Sequence, residues 1–312
     1  MDKNNLTLAT EFFLLGFQGS QGFRMFLFCL LLVVYLLTIC GNLLIIVLVS
    51  TSRSLHTPMY FFISQLSITD ILLSTVIVPN ILYILPNNGG TITYVGCITQ
   101  LCLFCASETS ECFLLTVMSY DRYVAICNPL RYSSIMTSVY CVNLSIICWF
   151  LSFFTILANN LTTSLLKFGS SNIIDHFYCD LVPLLDIAIS GTFFLESEIY
   201  ILSPFIVIIP IIIIIISYIN IIVTMLRIPS NRSRQKAFST CSSHLIVVSV
   251  FYCTMLTVYV LPTRGHSLKS SKVLSLLYTV FTPFINPIIY SLRNREIMKA
   301  LHETVHRHFT PD

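Results

Sequence analysis

Four ionisable residues mark the stretch of this chain where chemistry is concentrated. Between Cys97 and Cys127, an otherwise apolar run of helical length carries Glu108, Glu111, Asp121 and Arg122. At ~1.5 Å of rise per residue, Cys97 and Arg122 stand ~37 Å apart, so one helix sets a cysteine at one membrane face and an Asp-Arg pair at the other. Leu101, Phe104, Cys105, Glu108, Glu111, Cys112 and Leu115 follow i, i+3, i+4 spacing and form one stripe, which turns both glutamates inward. Asp70 adds a third acid in the preceding apolar segment. Burying a charge at membrane depth costs ~2.5–3.5 kcal/mol even on the mild insertion scale, so such groups read as functional. The neighbouring spans show no basic residue, and the three acids cannot all be charged cheaply. Either Glu108 is a neutral acid that hydrogen-bonds a ketone or alcohol, or a cation such as a small amine compensates it, with Phe104 and Tyr259 offering aromatic faces.

The elements that position these groups must lie in lipid. Of 312 residues, 55% are hydrophobic and 10% charged, with a mean hydropathy of +0.84, whereas a soluble chain carries roughly a quarter charged residues. A net charge of +3, scattered along the chain, gives no nucleic-acid surface. Most of the twelve cysteines lie in apolar segments and read as packing, with no metal site. No apolar leader with a small-residue cleavage site is apparent, so the first span is expected to act as the insertion signal.

Seven apolar spans follow in order. Residues 1–22 are polar and contain the sequon Asn5-Leu6-Thr7, and Met25 to Val49 is the first span. Pro58 opens the second at a position where its missing N–H costs nothing. The turn Asn87-Asn88-Gly89-Gly90 precedes the central helix, which Asn128-Pro129 ends. The fourth span contains Trp149. A long loop, Thr162 to about Phe194, leads to the fifth span at Ile199–Leu226, where Pro210 is tolerated because neighbouring helices can re-satisfy the freed carbonyl. A basic loop with Arg227, Arg232, Arg234 and Lys236 precedes the sixth span, Ala237 to Thr263; the seventh is Val273 to Leu292. Residues 293–308 place Ile297, Ala300, Leu301 and Val305 on one side, as in a helix lying on the membrane surface. The expected fold is an all-α membrane protein: one domain over 1–312, with a seven-transmembrane helix bundle over 23–292 and a short amphipathic eighth helix in the tail, 293–312. With the N-terminus outside, eleven Lys and Arg face the cytoplasm against six outside, which favours that orientation.

The chain resembles a vertebrate olfactory receptor, within the rhodopsin-like G-protein-coupled receptors. The resemblance rests on Leu55-His56-Thr57-Pro58-Met59-Tyr60-Phe61-Phe62, Leu66-Ser67 with Asp70, and Met118-Ser119-Tyr120-Asp121-Arg122-Tyr123-Val124-Ala125-Ile126-Cys127. It continues with Ser217-Tyr218, Lys236-Ala237-Phe238-Ser239-Thr240-Cys241-Ser242-Ser243-His244-Leu245, and Pro283 through Asn286-Pro287-Ile288-Ile289-Tyr290. Three departures stand out. Gly169 and Ile189 occupy positions where the family usually has a second pair of loop cysteines, Cys253 replaces a usual glycine, and Glu108 replaces a small or neutral residue.

The resemblance implies roles. Arg122 beside Asp121 would latch the inactive state and contact the G protein, with Tyr218 and Tyr290 turning inward to hold the open state; the bland alternative is an interfacial ion pair. Asp70 and Glu111 would share a sodium ion or water cluster with Asn42 and Asn286, or else be neutral hydrogen-bonded acids. Cys97 and Cys179 would form a disulfide on the oxidising side rather than remain free thiols. His244 reads as structural. Spacing gives Phe104, Cys105, Glu108 and Thr109 as cavity-lining on the third helix and Tyr252, Met255 and Tyr259 on the sixth. Leu202, Ile206 and Thr279 are added by analogy. The function expected is an odorant receptor in the plasma membrane, of sensory cilia by analogy. It would bind a small, mainly apolar ligand and activate a stimulatory heterotrimeric G protein that raises cyclic AMP, surrounded by lipid and without nucleic acid. A seven-helix transporter or channel using Asp70, Glu108 and Glu111 is the alternative, but no two-fold internal repeat supports it. An opsin would need a lysine where Val280 stands, and no paired catalytic groups suggest an enzyme.

Overall fold

In lipid every backbone N–H and C=O must be satisfied within the chain, so the apolar segments fold as helices. The computed structural model describes residues 10–169, 172–259, 268–292 and 294–309. Helix α1 (Gln21–Thr51) starts where the Ser20 hydroxyl accepts a hydrogen bond from the Phe23 amide at 3.3 Å. Pro58 opens α2 (Pro58–Asn87) as expected. Thr93 caps α3 (Tyr94–Cys127) through the Gly96 amide at 3.1 Å, and Thr137 caps α4 (Ser138–Thr163) through the Tyr140 amide at 3.3 Å. Asn88, at φ 57°, and Gly89, at φ 118°, make the left-handed turn after α2.

Helix α5 (Thr192–Leu226) begins seven residues before the expected Ile199, and α6 (Asn231–Tyr259) begins before Ala237. The basic segment read as a loop is therefore partly helix: Arg232, Arg234 and Lys236 lie on the first turns of α6. Charge excludes those turns from lipid without excluding helix. Among the described residues six helices are individually long and apolar enough to cross a membrane; in α6 the apolar part is confined to Cys241–Leu256. Helix α7 (268–292) consists of Leu268–Leu276, a π-type turn at Leu277–Phe281, and Thr282–Leu292. The amphipathic α8 (Arg295–Phe309) buries Ile297 and Ala300.

Burial identifies α3 as the axis of the bundle. Within its most apolar window 67% of residues are buried, against 33%, 29% and 28% for α1, α4 and α5. The outer helices point apolar side chains away from the protein, as lipid-facing surfaces do. In the isoleucine run 211–216, Ile212, Ile213, Ile215 and Ile216 are exposed and only Ile214 is buried.

At the Cys97 end, segments expected as loops pair instead. Strand β1 (Glu11–Leu14) lies antiparallel to β2 (Gly90–Thr93), and two further short strands follow in the long loop, β3 (Lys167–Phe168) and β4 (Ile173–Ile174). β4 joins the other edge of β1 in parallel, while β3 pairs with β5 (Ala188–Ser190). Alternation explains why β1 stays: Phe12 and Leu14 are fully buried, with the Phe12 ring 4.9 Å from Phe168 and 6.0 Å from Tyr94. Lys272, at the head of α7, fastens this cap by donating to the Gly16 carbonyl at 2.8 Å and to Asp175 at 2.5 Å.

Candidate functional site

Two of the three acids, Asp70 on α2 and Glu111 on α3, meet at one partner. The Asn286 amide donates to both Asp70 oxygens at 3.1 and 3.2 Å and to Glu111 at 3.3 Å. All three side chains are buried. Asn42, the fourth residue expected at this cluster, bonds backbone carbonyls. Its amide donates to the Thr38 carbonyl at 3.0 Å and the Pro283 carbonyl at 3.2 Å. The second bond has a clear cause. Pro287 has no N–H to give the carbonyl four residues earlier, and Asn42 supplies the missing donor. Buried oxygens on Asn42 (Oδ1), Ser74 (Oγ), Ser110 (Oγ) and Glu111 (Oε2) have no protein partner among the described residues. Two carboxylates with such oxygens around them match the donor set of a hard cation or of ordered water.

One turn above Glu111, Glu108 is buried, and its Oε2 accepts the Tyr278 hydroxyl. Its Oε1 has no partner among the described residues. Aromatic rings surround this pair: Phe104 meets Tyr178 of the loop at 5.1 Å and Tyr278 at 6.2 Å, both edge to face, and Phe251 of α6 lies 6.1 Å from Tyr278. Tyr278, Tyr178 and Phe251 were not singled out in the sequence. Tyr278 had a signal, since stepping back by fours from Asn286 gives Thr282 and Tyr278. The π-type turn then brings Thr279 inward beside it, and both are buried.

The other expected lining residues fall as follows. Tyr252 and Met255 are buried, and the Tyr252 hydroxyl reaches the Cys112 carbonyl at 3.5 Å. Cys105 is half-buried, as are Leu202 and Ile206 around a second π-type turn, Pro204–Ile208. The Thr109 and Thr279 hydroxyls bond to carbonyls of their own helices at 2.7 and 2.8 Å, which leaves a largely apolar lining. The Tyr259 side chain lies outside the described residues, and so does Asn5. Cys102 and Cys105 stand at C-x-x-C spacing, yet both are free thiols and Cys102 donates to Asn160 at 3.1 Å. Among the described residues no three His, Cys, Asp or Glu side chains gather as a metal site.

At the cap, Cys97 and Cys179 are disulfide-bonded with Cα atoms 5.4 Å apart. The Ile189 side chain occupies the space beside Gly169: a Cβ on Gly169 would fall 2.3 Å from Ile189 Cδ1. The two departures from the usual cysteine pair thus remain in contact. His176 is buried in this cap, and burial together with Lys272 lowers its pKa to about 3.

At the other end Arg122 forms an ion pair with its neighbour Asp121, Nε lying 2.9 Å from Oδ2. Tyr132 donates to the same carboxylate at 2.8 Å, and burial and Asp121 push that hydroxyl's pKa up. Tyr218 is buried but meets His244 Nδ1 at 2.7 Å and the Cys241 carbonyl at 3.3 Å. The Tyr290 hydroxyl is buried with no hydrogen-bond partner among the described residues. The structure therefore pairs Arg122 with Asp121, while the Tyr218 hydroxyl bonds His244 and Cys241.

Seven helices packed about a central α3, with this ion pair at one end, define the rhodopsin-like receptor fold. The structure superposes on the crystal structure of squid rhodopsin with a TM-score of 0.71 over 95% of this chain and 90% of that one, at 17% identity. The olfactory receptor family model matches residues 28–308. The chain is 44% identical over 301 residues to rat olfactory receptor 1500, covering 96% of both chains. It is 42% identical over 306 residues to human olfactory receptor 6Y1, covering 98% of this chain and 94% of that one. This chain belongs to the olfactory receptor family. It is accordingly a multi-pass plasma-membrane receptor and not an enzyme.

Proposed function

We propose that this receptor binds a small, mainly apolar odorant among α3, α5, α6 and α7 and signals through a stimulatory heterotrimeric G protein that raises cyclic AMP. The N-terminus and the cap face outside, and α8 and the tail lie in the cytoplasm. The observation that carries this reading is the layout of α3. Phe104, Cys105, Glu108 and Thr109 lie towards its disulfide end, with Tyr252, Met255 and Thr279 on neighbouring helices and Leu202 and Ile206 at the bulge of α5. Asp121 and Arg122 lie at its opposite end. A mostly apolar site with few polar anchors suits a small volatile molecule.

Ligand binding would favour the state in which Arg122 leaves Asp121 and meets the G protein, with Tyr218 and Tyr290 turning towards it. Asp70, Glu111, Asn286 and Asn42 would hold sodium or ordered water and stabilise the resting state; the unpartnered oxygens support this. The test is a cyclic AMP readout in cells expressing the chain, against a chemically diverse odorant panel. A dose-dependent, receptor-dependent rise supports the proposal. Odorant-dependent signalling through another G-protein class would overturn the coupling.

A further inference from the structure

Resting on the odorant-receptor reading, we infer that the base of the ligand site recognises a small organic amine, with Glu108 as counter-ion and Tyr278 holding that carboxylate in place. The starting observation is an unequal carboxyl group. Glu108 is buried, its Oε2 takes the Tyr278 hydroxyl, and its Oε1 has no partner among the described residues. A buried carboxylate oxygen left unpaired is costly, so a ligand that supplies a donor there gains what the protein lacks.

The surrounding charges select the kind of donor. Among the described residues the ionisable side chains ranged with Glu108 are acids: Glu111, Asp180 and Asp70. The basic residue at the head of α7, Lys272, is six residues above Tyr278, ~9 Å along the helix, and is already committed to Asp175 and the Gly16 carbonyl. A cation is therefore favoured over an anion at this level. Phe104, Tyr178, Tyr278 and Phe251 form the adjoining ring cluster. Aromatic faces attract ammonium groups and also pack the alkyl part of the ligand. Glu108 lies eleven residues below Cys97, ~16 Å along α3, so the amine would be held deep, with its hydrocarbon towards the cap.

Proton balance is straightforward. If Glu108 is an acid before ligand arrives, a neutral amine takes its proton: the O–H bond breaks, an N–H bond forms, and an ammonium–carboxylate pair remains. An ammonium entering from water instead releases the Glu108 proton to solvent.

The experiment compares n-hexylamine with n-hexanol on the wild type, Glu108→Gln and Tyr278→Phe, each checked for cell-surface expression. Cyclic AMP responses are read in cells and thermal shifts on purified receptor. The expected result is a wild-type preference for the amine that falls about tenfold or more, relative to the alcohol, in Glu108→Gln, because a charge-assisted bond is lost. Tyr278→Phe should reduce the same ratio by a smaller factor. An amine-specific thermal shift that is lost in Glu108→Gln, without any cyclic AMP response, would sustain the amine site and overturn the coupling proposed above. No amine preference in the wild type by either readout, or an amine-to-alcohol ratio unchanged in Glu108→Gln, overturns the inference.

Discussion

Asn42 shows how one amide can offset a defect built into another helix. Pro287 deprives the Pro283 carbonyl of its usual donor, and Asn42 crosses from α1 to supply one. Asn42→Leu keeps the side-chain size and removes that donor, so the expected result is a loss of about 1–3 kcal/mol, read as a lower Tm of the purified receptor. An unchanged Tm would mean that water serves the carbonyl equally well. Arg122 is a different kind of residue, because it pairs with its own neighbour at the bundle's end rather than tying helices together. Arg122→Ala should therefore abolish ligand-stimulated nucleotide exchange while leaving surface expression largely intact, and wild-type signalling from this variant would refute its assigned role. The identities of Glu108, Asp70 and Glu111 were legible in the sequence because charge in an apolar helix stands out. Their partners were harder to read: steps of four from Asn286 put Tyr278 on the same face of α7, but nothing local to either helix says that this face meets Glu108 of α3.

The cap shows the same limit for elements. The seven helices announce themselves by long apolar runs, but β1 has four residues and exists through pairing with β2 and β4, segments far away in sequence. Local pattern carries little of that information. The cap's fastening makes a prediction. His176 is buried as the neutral imidazole, with its pKa lowered from 6.5 to about 3 by burial and Lys272. A depressed histidine pKa means that the unfolded cap binds more protons between those values. Cap stability should therefore be complete above pH 6.5 and fall as the pH drops towards 3. Hydrogen exchange at the amides of residues 11–14 should accelerate as the pH falls from about 7.5 to about 5, after correction for intrinsic rates. His176→Phe should flatten that dependence. Lys272→Met, which removes the donor to Gly16 and Asp175, should accelerate exchange already at neutral pH, and equal protection in this variant would refute the fastening role.

Across the whole molecule, one disulfide and the distribution of charge point to the same orientation. A disulfide such as Cys97–Cys179 suits an oxidising compartment, and the Asn5 sequon precedes the first span in the sequence. The opposite end carries Asp121–Arg122, the basic first turns of α6 and the start of α8, in keeping with an excess of Lys and Arg on the cytoplasmic side. If the charge bias sets the topology, Asn5 passes through the glycosylating compartment and the C-terminus stays outside it. Two measurements on one preparation decide this. Digestion with an N-glycanase should increase the electrophoretic mobility of the wild type but not of Asn5→Gln. An antibody to a C-terminal epitope should label cells only after permeabilisation. Labelling of intact cells, or a non-reducing peptide map with free thiols at both Cys97 and Cys179, would reverse the orientation and with it the placement of the ligand mouth and the G-protein face.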